Sequence, residues 1–548
     1  MFFHLCGVWI AVKVSIPSPQ ERKSLLDLEM SVAPPPSTEE DVAPPPTPPR
    51  VPVSIRFRFI MTEVEERLCK YLLQEHFGEL VCRVGTELVH AGSLYLRQLV
   101  TRIGLSSSQV RKALCVLIQH SMVTFVAKER GPVLYESVRT ALLRIPRYSR
   151  YIYVAKTLYG DTGELLLEEI LQHGELTMSD AIRRVADRLT ETSNEGCDVQ
   201  YSEVAKTFCD LVNTHFLQKC PQVIVPAVGT AVQATAPTLE LEEREAYTIP
   251  TIPLTGRGKR RHLSLDHDEE QPLVKKAKKS MEEIPPDDGI YWHVNFERFH
   301  QFFRDQAIVS AVASKLDKTA GEIVRTMLRL SELTTTGNAA VTQPISSLEI
   351  LHALPMENQM TKPVLDQYLS LLVDDSMEVM SKYSESSGGS YVVNLHRCLH
   401  TLAQCSLVSI VQERFGSRPA RIFRLLLSKR HLEQKQVEDF AMIPSKEAKE
   451  MLYTMLSENF ISLQELPKTP DFAPARTFYL YTVKVQSTAR MTLQRCYKRH
   501  HRISCGPSLC LNSKGTYPAR QQGDCNRSFL LVDGLPTKAE ELHLSWLD

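Results

Sequence analysis

Three amphipathic stretches followed by two short apolar runs are found between residues 61 and 140. In the first stretch, Leu68, Leu72 and Leu73 recur at the spacing of one helix face. A second, shorter stretch follows, and a third begins after the serines at 106–108, whose side chains can cap a helix. This pattern predicts three consecutive helices.

The two apolar runs predict a β-hairpin after the third helix. Met122–Val126 and Val133–Tyr135 have the length and composition of strands, and Lys128–Gly131 between them has that of a tight charged turn. Three helices and a hairpin in this order predict a winged helix-turn-helix, in which the hairpin forms a wing beside the third helix.

The same pattern recurs late in the chain and, less regularly, twice in between. In the late copy we expect Val437, Phe440 and Ala441 to point inward from the second helix, and Pro444-Ser445 to open the third. The helices expected in the two intermediate copies are Gly163–Leu171, Thr177–Leu189, Tyr201–Phe216, Ile308–Leu316, Gly321–Leu330 and Pro363–Leu372. The predicted fold class is mainly α with small β-wings, with about four tandem winged helices. The alternative is a set of ordinary helical domains whose apolar stripes are only core.

The predicted boundaries follow the breaks in this pattern. They are a disordered proline-rich leader at 1–60, winged helices at 61–140, 141–220, 287–415 and 416–490, a charged flexible linker at 221–286, and an irregular tail at 491–548. The leader could also be a ligand of the SH3 type. Two basic clusters in the linker have the spacing of a bipartite nuclear-import signal and consist of Lys259, Arg260, Arg261, Lys275, Lys276, Lys278 and Lys279. A solvated charged loop is the alternative to import.

Composition restricts the function classes. The 548 residues include 64 Lys and Arg against 64 Asp and Glu, so a DNA contact must come from local patches and not from a basic domain. The 13 cysteines include no CxxC pair, which disfavours a zinc ribbon and favours reduced thiols in a nuclear or cytosolic protein. We expect no metal and no cofactor, and no apolar run is long enough to predict a membrane span.

Enzyme motifs are missing from the sequence. It contains no phosphate-binding GxxxxGK[ST], no HExxH and no GxSxG. The adjacent carboxylates Asp287-Asp288 and Asp374-Asp375 are expected to cap or brace structure, because neighbouring residues do not share a helix face. We therefore expect no catalytic residues.

Several basic or polar positions could contact DNA. Gln109 and Lys112 lie on the third helix of the first unit, and Lys128 and Arg130 lie at its wing turn. Arg418 and Arg421 belong to a second basic strip, Arg414 to Arg424, and Arg139 to Arg150 forms a third. We expect contacts with the DNA backbone, which position a protein without specifying sequence. The third helix of the fourth unit alternates Lys446, Glu447, Lys449 and Glu450, which favours a protein surface.

Long collinear segments resemble the third-largest, winged-helix subunit of RNA polymerase III. They are Tyr71–Gly78, Arg111–Leu117, Arg150–Tyr153, Asp187–Thr192, Ile284–Trp292, Phe302–Ser310, Val411–Gly416 and Glu433–Met442. That family is related to the large subunit of general transcription factor E. The resemblance extends from about Met61 to about Lys498, so residues 1–60 are additional, and the tail lacks the heptads of the family's coiled coil.

The resemblance implies a nuclear, non-catalytic subunit of an initiation-specific heterotrimer on the clamp side of the polymerase. It implies contacts with the heterotrimer partners, the core clamp, the polymerase III initiation factor and DNA near the transcription bubble. It also implies a part in sensing foreign cytosolic DNA. Two alternatives stay open, namely a free-standing winged-helix regulator that reads a DNA sequence and a scaffold that binds only protein.

Overall fold

The computed structural model describes residues 62–126, 132–192, 199–224, 238–240, 245–252, 287–355, 360–384, 389–468 and 477–505. The leader, the wing turn with Lys128 and Arg130, both basic clusters and the tail beyond residue 505 lie outside these ranges. The described chain forms helices with small antiparallel sheets, and the predicted fold class is confirmed.

The first unit has the predicted order of helices and strands. It consists of α1 (Glu63–Ala91), β1 (Leu94–Tyr95), α2 (Leu96–Ile103), α3 (Ser107–Gln119), β2 (Val123–Val126) and β3 (Leu134–Ser137). The Thr62 side chain caps α1 together with Glu65, and α2 ends at Gly104, whose left-handed backbone (φ 70°) favours glycine. The predicted leucines of α1 are buried, as is the inner face of α3.

The second unit takes its last strand from beyond the charged segment. Helix α4 (Arg139–Arg144), which precedes this unit, still packs on α1 and adds Leu142 and Leu143 to the first core. The second unit then consists of α5 (Tyr148–His173), β4 (Leu176–Thr177), α6 (Met178–Thr192), α7 (Tyr201–Asn213), β5 (Leu217–Lys219) and β8 (Tyr291–Val294). Strand β8 lies between β4 and β5, and Trp292 pairs with Leu176 on one side and Lys219 on the other. A separate hairpin, β6 (Gln222–Ile224) and β7 (Thr238–Glu240), precedes β8.

This pairing corrects one predicted boundary. The sequence assigned 287–415 to the third unit and treated 221–286 as a linker between units. The structure places Tyr291–Val294 in the sheet of the second unit, so the charged segment is an insertion in that unit's wing. The physical reason is the burial of Trp292, which is 0% exposed and packs edge-on against Phe208 of α7.

The third unit contains a helix that the sequence did not predict. It consists of α8 (Phe296–Lys315), α9 (Lys318–Leu330), β9 (Ile345–Ser346), α10 (Ser347–Ala353), α11 (Lys362–Asp374), β10 (Met380–Ser384) and β11 (Ser390–Val393). Helix α10 was missed because its seven residues are too few to show a clear period. Its only strong signal is the capping box formed by Ser346 and Glu349. The helix that was expected at Gly321–Leu330, as the second of this unit, is α9, and it packs against α8.

The fourth unit follows α12 (Leu395–Phe415). It consists of α13 (Ser417–Lys429), β12 (His431–Leu432), α14 (Gln434–Ala441), α15 (Ser445–Ser457), β13 (Ser462–Pro467) and β14 (Thr477–Thr482). Val437 and Ala441 are buried as predicted, but the prediction for Phe440 was wrong, because its side chain is 56% exposed. Within the described chain each of the four units places its last strand in the middle of a three-stranded sheet.

The irregular tail predicted from residue 491 begins later than expected. Helix α16 (Val485–Cys505) leaves the fourth unit and packs along α1 of the first. Leu493 and Tyr497 join the core of the first unit, and Gln494 Nε2 donates to Glu65 Oε1 at 2.7 Å. The glycines and prolines that suggested irregularity start only at Gly506. The two ends of the described chain are therefore held together.

The first and second units meet at a close backbone contact. Gln119 Nε2 donates to the carbonyl oxygen of His173 at 2.8 Å. Gly174 follows with φ 79°, and a side chain there would collide with the backbone of Gln119. Glycine is required at this position for both reasons. None of the described helices combines the length and the apolar character that a membrane span requires.

Truncating Leu493 to alanine should destabilise the first unit. The side chain is 6% exposed and packs between α16 and α1, so Leu493→Ala should lower the free energy of unfolding by about 3 kcal/mol. Denaturant unfolding and hydrogen exchange of Leu68–Leu73 measure the effect. Ile503→Ala is the matched control on the same helix, because Ile503 is 60% exposed. Equal effects of the two substitutions would contradict the packing of α16.

Candidate nucleic-acid interface

The third helix of the first unit presents part of the predicted DNA-binding set. Ser106 and Gln109 form a reciprocal cap at its start, in which Gln109 Oε1 accepts from the Ser106 backbone at 3.2 Å. Gln109 is therefore engaged in holding the helix end. Arg111 and Lys112 are exposed, and neither forms an ion pair with another described residue. Among the predicted residues that the structure describes, Lys112 is the basic one that is exposed on α3 without an internal ion pair.

The strip from Arg414 to Arg424 is bonded within the protein. Arg418 forms an ion pair with Glu447 of α15, and Arg421 Nη1 donates to the carbonyl oxygen of Ala441 at 3.3 Å. Arg414 Nε lies 2.5 Å from Glu458 Oε2. Burial alone would raise the pKa of Glu458, but hydrogen bonds from Arg414 and Arg495 lower it below its ordinary value. These bonds attach α13 to neighbouring elements. Arg418 and Arg421 are therefore weaker candidates for phosphate contacts.

The strip from Arg139 to Arg150 is also used internally. The Arg144 guanidinium lies 4.6 Å from the ring centre of Phe296, and that of Arg150 lies 5.4 Å from the ring centre of Phe303. Arg147 between them is only 5% exposed. Cation–π contacts of this kind hold α8 against α4 and α5. The charge pattern could not reveal this, because the aromatic partners lie about 150 residues further along the chain.

The fourth unit exposes apolar side chains on the elements that normally face DNA. Phe440 and Met442 flank the turn before α15, Tyr453 lies on α15, and Leu466 and Phe478 lie opposite each other on the wing. Their exposed fractions run from 38% for Phe478 to 87% for Met442. Grouped exposed apolar residues are typical of a protein-binding surface. Sequence reasoning did not single out this surface, because helical spacing assigned Phe440 to the core and no pattern in the sequence indicated the exposure of the others.

The adjacent carboxylates have the structural roles that were predicted. Asp287 Oδ2 accepts from the Ser179 backbone at 2.7 Å and so caps α6 across the charged insertion. Asp375 Oδ1 lies 2.6 Å from Lys315 Nζ and braces the end of α11. In the part of the chain that the structure describes, no group of His, Cys, Asp and Glu side chains has an arrangement suited to a metal ion.

Comparison with known proteins gives three family matches along the chain. Residues 67–128 match the RNA polymerase III subunit RPC82 helix-turn-helix domain, residues 206–402 match RNA polymerase III subunit RPC82, and residues 407–483 match the POLR3C C-terminal winged-helix domain. DNA-directed RNA polymerase III subunit RPC3 of Bos taurus is 57% identical over 443 residues, which cover 80% of this chain and 83% of the relative. The chain belongs to the RPC3 family of RNA polymerase III subunits.

Other RPC3 relatives show the same similarity. The proteins of Homo sapiens and Danio rerio are 56% and 57% identical, and each alignment covers 80% of this chain and 83% of the relative. The RPC82 match at 206–402 begins inside the second unit and continues through the third, so it spans the charged insertion. The resemblance inferred from the sequence segments is confirmed.

Three partly buried histidines on different elements, His120 before β2, His293 on β8 and His300 on α8, have lowered pKa values. Burial lowers the pKa of His300 to about 4, with Arg147 and Arg144 acting in the same direction, and His300 Nε2 lies 2.8 Å from Tyr151 Oη. Burial and Arg144 lower the pKa of His293 to about 4, and burial and His173 do so for His120.

Mild acid should therefore destabilise the protein. Below pH 6.5 the unfolded state binds protons that the folded state excludes, so stability falls as the pH drops from 6.5 towards 4. The limiting slope is about 1.4 kcal/mol per pH unit for each histidine. Urea unfolding at a series of pH values measures it, and His300→Gln should reduce the slope. Stability that stays constant over this range would show that the histidines are not held neutral.

Proposed function

We propose that this chain is a non-catalytic subunit of RNA polymerase III that belongs to the initiation-specific heterotrimer. In this role it binds the polymerase III initiation factor, and DNA near the transcription bubble, and supports promoter-directed transcription of small untranslated RNAs. The observation that carries the proposal is the tandem winged-helix assembly closed by α16, together with relatives named as polymerase III subunits. The structural roles of Asp287 and Asp375 support a function without catalysis.

DNA contact is proposed for the first unit and is mostly non-specific. Lys112 on α3, with Lys128 and Arg130 at the adjacent wing turn, would contact phosphates, and Gln109 would hold the start of α3. Arg418 and Arg421 would contribute less, since each would have to give up its bond to Glu447 or to the Ala441 carbonyl oxygen before it could contact a phosphate.

Binding to a duplex with a premelted bubble tests this DNA contact. The triple substitution Lys112→Ala, Lys128→Ala and Arg130→Ala should weaken binding to all sequences alike. It should also reduce the slope of log K against log salt by about 0.9 for each phosphate that the variant no longer neutralises. Arg418→Ala should change the slope much less, because Arg418 is paired with Glu447. A preserved slope in the triple variant would contradict the assignment.

Protein partners are proposed for the fourth unit. Its exposed apolar residues and its alternating Lys446, Glu447, Lys449 and Glu450 fit a docking surface for other polymerase III subunits, including the heterotrimer partners and the core clamp. The same surface favours, as a second candidate function, a scaffold that binds only protein. A free-standing regulator would instead show sequence-specific affinity with a weak salt dependence.

A nuclear location is proposed from the two basic clusters. Both lie between β5 and β8, which are antiparallel neighbours in one sheet, so the insertion that carries them leaves and re-enters the second unit at the same end of these strands. This placement supports access by an import receptor without disruption of the fold. The proposed part in sensing foreign DNA depends on polymerase III activity and follows from the subunit role.

Purification of the tagged chain from human cells tests both location and assembly. The unaltered chain should be nuclear and recover core polymerase III subunits in stoichiometric amounts, identified by mass spectrometry. Substitution of all seven basic residues of the clusters by alanine should shift the chain to the cytoplasm. The control exchanges lysine and arginine at the same seven positions and keeps the charge. Recovery of no polymerase subunit by the unaltered nuclear chain would contradict the proposal.

A further inference from the structure

The first unit contains a groove that the proposed DNA contact does not use. It lies between α2 and the base of the wing, has a volume of about 870 Å³, and is lined among others by Tyr95, Arg97, Gln98, Arg102 and Tyr135. The candidate DNA residues lie on α3 and at the wing turn, whereas this groove is formed by α2, β1 and β3.

The walls of the groove combine aromatic rings, backbone and positive charge. Strand β1 pairs with β3 only as far as Tyr95, which lies opposite Leu134. Val133 and Pro132 come before this pair, so the described residues provide them with no partner strand on that side, and both line the groove. Arg97 is exposed and has no ion-pair partner among the described residues, while Arg102 lies 3.1 Å from Glu87. Aromatic-lined grooves are typical receptors for proline-rich peptides in the polyproline II conformation.

The leader of this chain has the matching chemistry. Residues 32–36 and 42–46 both read Val-Ala-Pro-Pro-Pro, and between them lie Glu39, Glu40 and Asp41. Proline-rich sequence favours the polyproline II conformation, which loses little entropy on docking. The acidic triplet is complementary in charge to Arg97 and Arg102.

The length of the leader permits an intramolecular contact. Helix α1 is broken at Gly78, and Cys82 Sγ lies 3.4 Å from the carbonyl oxygen of Lys70, so its two halves fold back on each other. Its start therefore lies nearer to its end, where the groove begins, than the about 43 Å that a straight helix of 29 residues would span. From Asp41 to Thr62 the chain advances by 21 residues, which extend to about 65 Å in a polyproline II conformation. The acidic triplet can therefore reach the groove.

We propose that the groove between α2 and the wing binds the proline-rich segment 31–50 of the same chain. The rings of Tyr95 and Tyr135 pack against the prolines, and Arg97 and Arg102 pair with the acidic triplet. The groove is then a peptide-binding surface, distinct from the proposed DNA contact on α3, and its occupation by the leader does not depend on that proposal.

Zero-length crosslinking of the full-length chain tests this contact. In Arg97→Lys, a carbodiimide should couple the introduced amine to Glu39, Glu40 or Asp41, at a yield that does not change with protein concentration. Lys112 is the internal control, because it is exposed in the same unit on another element. Addition of Arg102→Glu to Arg97→Lys should reduce the crosslink at least fivefold, whereas addition of Arg111→Glu should leave it unchanged. Circular dichroism and the denaturant midpoint verify that the variants fold.

Three results would overturn the proposal. One is equal coupling of the triplet to Lys112 and to the introduced amine. Another is crosslinking only between differently isotope-labelled molecules. The third is loss of binding to single-stranded oligodeoxythymidine in Arg97→Glu, Arg102→Glu, with no crosslink to the leader in Arg97→Lys, which would assign the groove to nucleic acid.

Discussion

The insertion of strand Tyr291–Val294 into the middle of the second sheet is the constraint on which the arrangement of the chain depends. Trp292 on this strand is fully buried and pairs with strands on both sides, so the second unit is incomplete until the chain has passed through the charged segment. Removal of such a large buried side chain from water is strongly favourable. Helix Val485–Cys505 adds a second link, from the fourth unit back to the first. The two halves of the sequence therefore form one body.

This arrangement determines which charges remain available to partners. Two arginine strips that look like nucleic-acid ligands in the sequence are instead bonded to carboxylates, carbonyl oxygens and aromatic rings at the junctions between elements. A guanidinium suits such junctions because its planar fork can bond and stack at once. The exposed surfaces that remain differ between units. The first offers Arg111 and Lys112 on its third helix, and the fourth offers apolar side chains. A subunit that contacts DNA through one unit and protein through another would need this division.

The elements that were predicted best are those whose apolar face packs against residues nearby in the sequence. The helices of the first and fourth units are examples, since Leu68, Leu72 and Leu73 pack against neighbours within one unit. Strand Tyr291–Val294 was assigned to the wrong unit because its partners lie more than 70 residues earlier, and no local pattern encodes a distant register. The role of Leu493 was missed for the same reason. Whether Phe440 is buried and whether Arg418 is paired within the protein depend on which elements pack together, and spacing along the chain does not determine that.

Cleavage of the charged insertion tests most directly whether the halves form one body. A recognition sequence for a site-specific protease, inserted between residues 262 and 274, allows the folded chain to be cut once and then separated by size exclusion without denaturant. The account predicts that both fragments elute together at the position of the intact chain, because the central strand of the second sheet and helix Val485–Cys505 both join them. Elution as two separate fragments would contradict it.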